Sequence, residues 1–141
     1  DGEAGDSRLG KATMRTETAF TDDLSSDYDF WVYTSQSSPI SLIRNEELLL
    51  ISAEAKILTS DLPGAVDDLN IVRAAAGLGN YSGAMTEEAI TDQMLHERRY
   101  SLYGEGHRWV DMRRFNKLDE LPIDRADDDV WEEFPRPATE G

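Results

Sequence analysis

The stretch MLHERRYSLYGEGHRWVDMRR, residues 94–114, contains the most informative pattern in the chain. Its apolar spacing predicts the second half of a helix that begins after Thr86 and runs to about Tyr103. The two glycines within residues 104–106 would end that helix, and a shorter helix would follow over residues 107–114. Acidic and basic side chains alternate through the stretch at a spacing that lets them pair with one another.

Six charged residues of this stretch form a candidate ion-pair network. Because Glu97 and Arg98 are neighbours in the helix, their side chains diverge and each needs a partner elsewhere. The others recur at every third position, and they would form a carboxylate–guanidinium lattice if the short helix packs on the long one. The set is Glu97, Arg98, Glu105, Arg108, Asp111 and Arg114. A pair of catalytic carboxylates is the alternative, but a structural network is the commoner arrangement, so we expect no catalytic residue.

A helical hairpin is predicted upstream of this stretch. Its first helix covers about residues 43–58 and is apolar around so much of its circumference that we expect neighbours on both sides. Asp61 is a suitable N-cap for the second helix, which runs to about Ala76 and ends at Gly77. The link between the two helices is short, which favours an antiparallel pair.

The two ends of the chain lack the helical pattern that its middle shows. Residues 1–27 are rich in Asp, Ser, Thr and Gly and predict loop, whereas residues 28–34 predict one short aromatic strand. We therefore divide the chain into a loop-rich segment with one strand, 1–42, and a helical region, 43–141. Residues 134–137 predict an extended tail because each residue before a proline avoids the α conformation. The expected fold class is mainly α, with a helical hairpin, extended loops and a short aromatic strand.

The composition excludes several classes of protein. A formal net charge of -15 argues against nucleic acids and anionic lipid headgroups as partners. The same acidity indicates either a surface adapted to high salt or an ordinary soluble one. The absence of cysteine excludes disulfides and thiolate chemistry within these 141 residues. No apolar run suits a transmembrane helix, and residues 1–6 look like the middle of a longer polypeptide rather than a signal peptide.

Two aromatic residues are the candidates for ligand binding. Trp31 and Tyr33 lie in the predicted strand, and aromatic faces of this kind stack on the C–H groups of sugar rings. The alternative is that they cover a small core beneath a loop. We expect no metal site or cofactor, because His96 and His107 lack a ligand spacing and no phosphate-binding or dinucleotide motif occurs. The acidic residues 127–129 lack the spacing of a calcium loop and read as solvated.

Several blocks of residues occur in an order that is typical of one protein family. They are Ile43-Arg44 with residues 47–51 and 53–55; Ala65 with residues 69–73 and 76–78; and Glu97-Arg98, Leu102, Glu105-Gly106, Arg108, Asp111 and Arg114. Asp6 and Arg8 look like an Asp-x-Arg motif of the same family, and residues 134–137 with Glu140 look like its closing proline motif. In these blocks the chain resembles the C-terminal part of the SusD/RagB family. It departs at Ser101, where the family usually has glutamate, and at Ala75, where arginine is common.

The resemblance implies a fold and a function. Such proteins are largely α-helical and are built on tetratricopeptide-like hairpins in an α–α superhelix. They are non-catalytic lipoproteins of the outer-membrane surface, where they bind oligosaccharides or other nutrients and work with a SusC-like TonB-dependent transporter. Their lipid anchor is an N-terminal cysteine that this chain lacks. Their glycan-contacting aromatic residues mostly lie in upstream or inserted loops that are also absent here, so the resemblance implies that these 141 residues mostly supply scaffold. The alternative is an intracellular helical-repeat adaptor that binds peptides or proteins.

Overall fold

The structure is a computed structural model that describes residues 2–133 and residue 139. Two antiparallel strands come first in the chain, and four α-helices follow within the described residues. The elements are β1 Ala12–Thr21, β2 Leu24–Phe30, α1 Asn45–Leu58, α2 Leu62–Ala75, α3 Glu87–Ser101 and α4 His107–Arg114. Short 3-10 turns precede β1 over Ser7–Lys11 and follow α4 over Leu118–Glu120.

The core lies among the first three helices. Helices α1 and α2 form the antiparallel hairpin, α3 packs against both, and α4 packs on α3. The shared apolar residues are Leu50, Ala53, Ile57, Ala65, Leu69, Val72, Ile90, Met94 and Leu95. The predicted mainly α class and the helical hairpin are therefore confirmed. None of the described helices has both the length and the apolar character that crossing a membrane requires.

The helix ends follow the predicted capping chemistry. The Asp61 side chain accepts a hydrogen bond from the Gly64 amide at the start of α2, and Thr86 accepts one from the Ala89 amide at the start of α3. Gly77 ends the second helix with a φ of +82°, which glycine adopts without a side-chain clash. The amide of Leu78 then donates to the carbonyl of Arg73 at 2.9 Å, which closes the C-terminal turn.

The turn between α3 and α4 depends on two glycines. Gly104 and Gly106 both have a φ of +80°, in the left-handed region. Gly104 also lies under the ring of Phe30, so a Cβ at this position would overlap the ring. Helix α3 ends at Ser101, slightly before the predicted position, while α4 has the predicted bounds.

The prediction for the N-terminal segment was wrong in part. Residues 12–21, which were expected to be loop, form β1, and the strand predicted at 28–34 lies at 24–30 instead. Most residues of both strands are exposed. The sequence of β1 has no sustained alternation of apolar and polar residues, so it gave no strand signal, whereas the alternation at residues 27–30 falls within β2. The register is irregular between Met14 and Ala19. The predicted tail at 134–137 lies outside the described residues.

Candidate functional site

The most buried charged group of the described chain is the carboxylate of Glu97. This residue has no exposed surface. Its Oε1 accepts hydrogen bonds from Arg73 Nη1 at 2.8 Å and from Gln93 Nε2 at 2.7 Å, and its Oε2 accepts one from Arg8 Nη1 at 2.6 Å. Every partner except Gln93 comes from outside α3. The carboxylate therefore ties the N-terminal segment and α2 to the third helix.

Two more carboxylates complete this group. Asp6 accepts hydrogen bonds from the side chain and the amide of Arg8, and Glu3 forms a bidentate pair with Arg73 at 2.7 and 2.8 Å. Burial acts to raise the pKa of Asp6, but the hydrogen bonds from Arg8 outweigh it and hold that pKa below its usual value. The hydrogen bond from Arg73 likewise lowers the pKa of Glu3. We call Glu3, Asp6, Arg8, Arg73 and Glu97 the buried charge cluster.

One histidine lies beside this cluster without completing a metal site. His96 Nε2, Glu3 and Glu97 bring three potential ligand atoms within 4.8 Å of one another. The carboxylate oxygens already accept hydrogen bonds from guanidinium groups, and Arg73 provides the positive charge that a metal ion would supply. Burial lowers the pKa of His96, so the imidazole stays neutral in the native state at pH 7. The arrangement suits an ion-pair cluster rather than a metal centre.

Other charged residues of the stretch 94–114 belong to two further groups. Arg98 Nε donates to Asp111 Oδ2 at 2.7 Å, and both side chains are at least nine-tenths buried. Asp111 also lies 3.8 Å from Arg114, which pairs with Glu54 of α1. The Arg98 Nη1 atom is buried without a hydrogen-bond partner in the part of the chain that the structure describes.

Glu105 pairs with Arg44, which also pairs with Glu46. Arg108 forms no salt bridge with the described residues; burial lowers its pKa, and the nearby charge of Arg99 lowers it further. The six residues predicted as one lattice are thus divided: Glu97 belongs to the buried charge cluster, Glu105 pairs with Arg44, and Arg108 has no salt-bridge partner among the described residues. Only Arg98, Asp111 and Arg114 come together.

An open cleft of about 510 Å³ lies where the loop after β2 meets the turn between α3 and α4. One wall is Tyr33, whose side chain is 45% exposed, and the polar groups are Arg44, Glu47, Glu105 and His107. His107 Nε2 is 3.9 Å from the carboxylate of Glu47. The cleft therefore combines an aromatic face with hydrogen-bond donors and acceptors, as small-ligand sites do.

The two predicted ligand-binding residues have different surroundings. Tyr33 lines the cleft, and its ring contacts Phe30 at a centroid distance of 6.3 Å. Phe30 in turn packs against Tyr103 at 5.7 Å, so Tyr33 is supported from behind. Trp31 is 48% exposed but is not part of the cleft wall. Of the two predicted residues, Tyr33 is the one that lines this cleft.

The sequence analysis did not identify the arginines that neutralise the predicted carboxylates. Arg73 lies on a helix that was expected only to pack, and Arg44 precedes α1. Arg8, Arg44 and Arg73 were noticed through the family resemblance alone, with no partner assigned to them. A buried face of α3 that contains Glu97 was the available signal, because a buried carboxylate requires cationic partners.

Comparisons with known proteins agree with this architecture. The sequence profile of the SusD family (SusD_RagB) matches residues 8–136. A crystal structure of a SusD superfamily protein from Bacteroides vulgatus ATCC 8482 is similar, with 33% sequence identity and a TM-score of 0.54. That match covers 55% of this chain and 17% of the other, so these residues span a small part of that relative's length. No curated protein matches the chain. Because the family profile takes in most of the sequence, this chain belongs to the SusD family.

Proposed function

We propose that this chain is part of a nutrient-binding protein that works with a SusC-like TonB-dependent transporter at the outer-membrane surface. The observation that carries the proposal is the family match over residues 8–136. SusD-family proteins are generally non-catalytic, so we assign these residues a binding and scaffolding role. Attachment to the membrane would come only from a lipid anchor outside these 141 residues. The adaptor alternative has no support beyond the helical hairpin.

The ligand that we propose is an oligosaccharide, bound in the cleft beside Tyr33. A half-exposed tyrosine ring offers a flat face to the C–H groups of a sugar. Around it, the carboxylates of Glu47 and Glu105 can accept hydrogen bonds from hydroxyl groups, and Arg44 can donate. Two carboxylates beside one guanidinium favour a neutral sugar over an anionic one.

The ion pairs fit a structural role in this proposal. Glu97 is buried, and both of its oxygens already accept hydrogen bonds from arginine. A carboxylate held in this way has no free lone pair directed at a cleft and no exposed proton to transfer. Asp111 is similarly buried against Arg98. We therefore propose that Glu97, Arg98, Glu105, Asp111 and their partners hold the helices in place.

The proposal is tested by glycan-array and calorimetric binding with the complete protein. We expect neutral oligosaccharides to bind, and Tyr33→Ala to weaken binding about two- to tenfold, because the stacking contact of one aromatic ring is lost. Tyr28→Ala is the matched control, since Tyr28 is an exposed tyrosine on β2 outside the cleft. Trp31→Ala tests the other predicted aromatic residue in the same assay.

Each outcome has a separate meaning. Undiminished binding by Tyr33→Ala would remove the cleft from the proposal, whereas loss with Trp31→Ala alone would move the site to that residue. Failure of the complete protein to bind any glycan would contradict the sugar assignment. Co-purification with a SusC-like transporter tests the partner independently of the ligand.

A further inference from the structure

Lys11 contacts the elements that carry both walls of the Tyr33 cleft. It is the last residue of the first 3-10 turn and is partly buried. Its Nζ donates to the carbonyl of Tyr100 at 2.9 Å and to that of Ser101 at 2.5 Å, in the last turn of α3. The last carbonyls of a helix have no partner within the helix, so the ammonium supplies one at the negative end of the helix dipole.

The main chain of the same residue holds the opposite wall. The Trp31 amide donates to the Lys11 carbonyl at 2.7 Å, and Trp31 is the first residue after β2. Tyr33 follows two positions later on the loop that lines the cleft. The other wall is the turn between α3 and α4, which begins where the Lys11 side chain binds. Lys11 therefore links the start of one wall to the start of the other.

The Lys11 ammonium lies close to charged groups of the cleft. Burial lowers the pKa of Lys11, and the positive charge of Arg44 lowers it further, whereas the charge of Glu105 acts to raise it. Arg44 and Glu105 pair with each other and line the cleft. Glu46 and Arg8 are further charged neighbours of the ammonium. Lys11 itself does not line the cleft, so it acts on a ligand only through the residues that it holds.

We propose that Lys11 is a positioning residue for this cleft: by joining the end of α3 to the start of the loop after β2, it fixes the two walls at the spacing that a ligand requires. The inference rests on the proposed function of the cleft. Two other contacts cross the same gap, because Phe30 lies over Gly104 and Arg44 pairs with Glu105. These contacts hold the turn itself, whereas Lys11 holds the end of the helix from which the turn starts.

The test compares Lys11→Met with Lys56→Met in the complete protein. Methionine keeps a long unbranched side chain and removes the ammonium. Lys56 is the matched control, because it is also partly buried and its Nζ donates to a main-chain carbonyl, that of Gly64 in the first turn of α2. We expect Lys11→Met to weaken calorimetric binding of neutral oligosaccharides about three- to tenfold, because only a fraction of the molecules then has an assembled cleft. Lys56→Met should leave the affinity within about twofold, at a temperature at which circular dichroism shows every variant to be folded.

Two further measurements separate positioning from a general loss of stability. Lys11→Arg keeps a charged donor at this position and should restore most of the affinity. Because the pKa of Lys11 lies below that of an ordinary lysine, wild-type affinity should fall as the pH rises from about 8 to about 10. Lys11→Arg stays charged over that interval and should lose less affinity than the wild type. Identical pH profiles for the two proteins would contradict the inference.

Hydrogen exchange tests the same contact without a ligand. Exchange in a peptide that covers residues 29–34 should be about tenfold faster in Lys11→Met than in Lys56→Met. Equal exchange and equal affinity in these two variants would overturn the inference. Failure of the proposed function gives a different result, in which exchange is faster in Lys11→Met although no glycan binds or Tyr33→Ala binds normally. That result would overturn the role of the cleft, and the inference with it, while leaving the contact of Lys11 with α3 in place.

Discussion

Arg8 and Glu97 are 89 positions apart in the sequence, and their side chains form a hydrogen bond of 2.6 Å between Nη1 and Oε2. Arg73 of α2 donates to the other oxygen of the same carboxylate. One buried carboxylate therefore joins two guanidinium groups from different parts of the chain, and each of these also pairs with a second carboxylate, Arg8 with Asp6 and Arg73 with Glu3. Removing it leaves both arginines without their shared partner.

Glu97→Gln should destabilise the protein by about 1.5–3 kcal/mol, because buried charge-assisted hydrogen bonds from Arg8 and Arg73 are weakened or lost, although Asp6 and Glu3 still pair with the two arginines. The free energy of unfolding from urea titration, followed by circular dichroism, measures the effect. Glu120→Gln is the control: its carboxylate pairs with Lys117 at 2.7 Å but is half exposed, so a change within about 1 kcal/mol is expected. A similar small change for Glu97→Gln would show that the buried pairs add nothing to stability.

His96 should make stability fall as the pH drops below neutrality. Burial lowers its native pKa below the ordinary histidine value of about 6.5, so the unfolded chain takes up a proton that the native chain resists. Stability from this residue is complete above pH 6.5 and is lost as the pH falls toward the lowered native pKa. The groups around the imidazole are Glu3, Glu97, Arg8 and Arg73, with Tyr100 against its ring.

His96→Gln should flatten the slope of unfolding free energy against pH in that interval, and His107→Gln should leave this contribution in place. Urea titrations at half-unit steps of pH provide the slopes. Identical slopes for wild type and His96→Gln would rule out the histidine as their source.

Gly104→Ala should cost more than Gly106→Ala, although both residues have a φ of +80°. A residue with a side chain in the left-handed region costs about 1–2 kcal/mol of stability, and this cost applies equally to both substitutions. Only Gly104 lies under the ring of Phe30, and nothing lies within 4 Å of the corresponding position at Gly106. Thermal unfolding of the two variants separates the contact from this backbone cost.

A double variant isolates the Phe30 contact further. If the overlap is the cause, Gly104→Ala should cost less in a Phe30→Ala background than in wild type. Additive effects of the two substitutions would contradict the proposed overlap.

Much of the helical architecture could be predicted because its signals are local. Asp61, Thr86 and Gly77 act within one turn of the helix that they cap, so their roles can be read from neighbouring residues. Strand β1 gave no such signal. Its side chains are mostly solvent-exposed, and its order comes from pairing with β2 rather than from an apolar face.

The same difference between local and distant contacts decides which charged pairs could be predicted. The contact of Asp111 with Arg114 follows helical spacing, whereas the partners of Glu97 and Glu105 lie far away in sequence. Helical periodicity identifies the face on which a carboxylate lies but not the segment that will reach it. The Tyr33 cleft was beyond prediction for the same reason, because its walls come from a loop and from the start of α4.

Contacts between the N-terminal residues and later elements affect the order of folding. Glu3 contacts Arg73, Ser7 contacts Ala76, and Arg8 contacts Glu97. During translation, residues 3–8 leave the ribosome before Arg73, Ala76 and Glu97 have been synthesised, so no partner for these contacts yet exists. Contacts so distant along the chain also form slowly, because the intervening segment must first be closed into a loop. Within these 141 residues, residues 3–8 are therefore among the last to become ordered, and a protease should cleave a nascent chain there before it cleaves the helices.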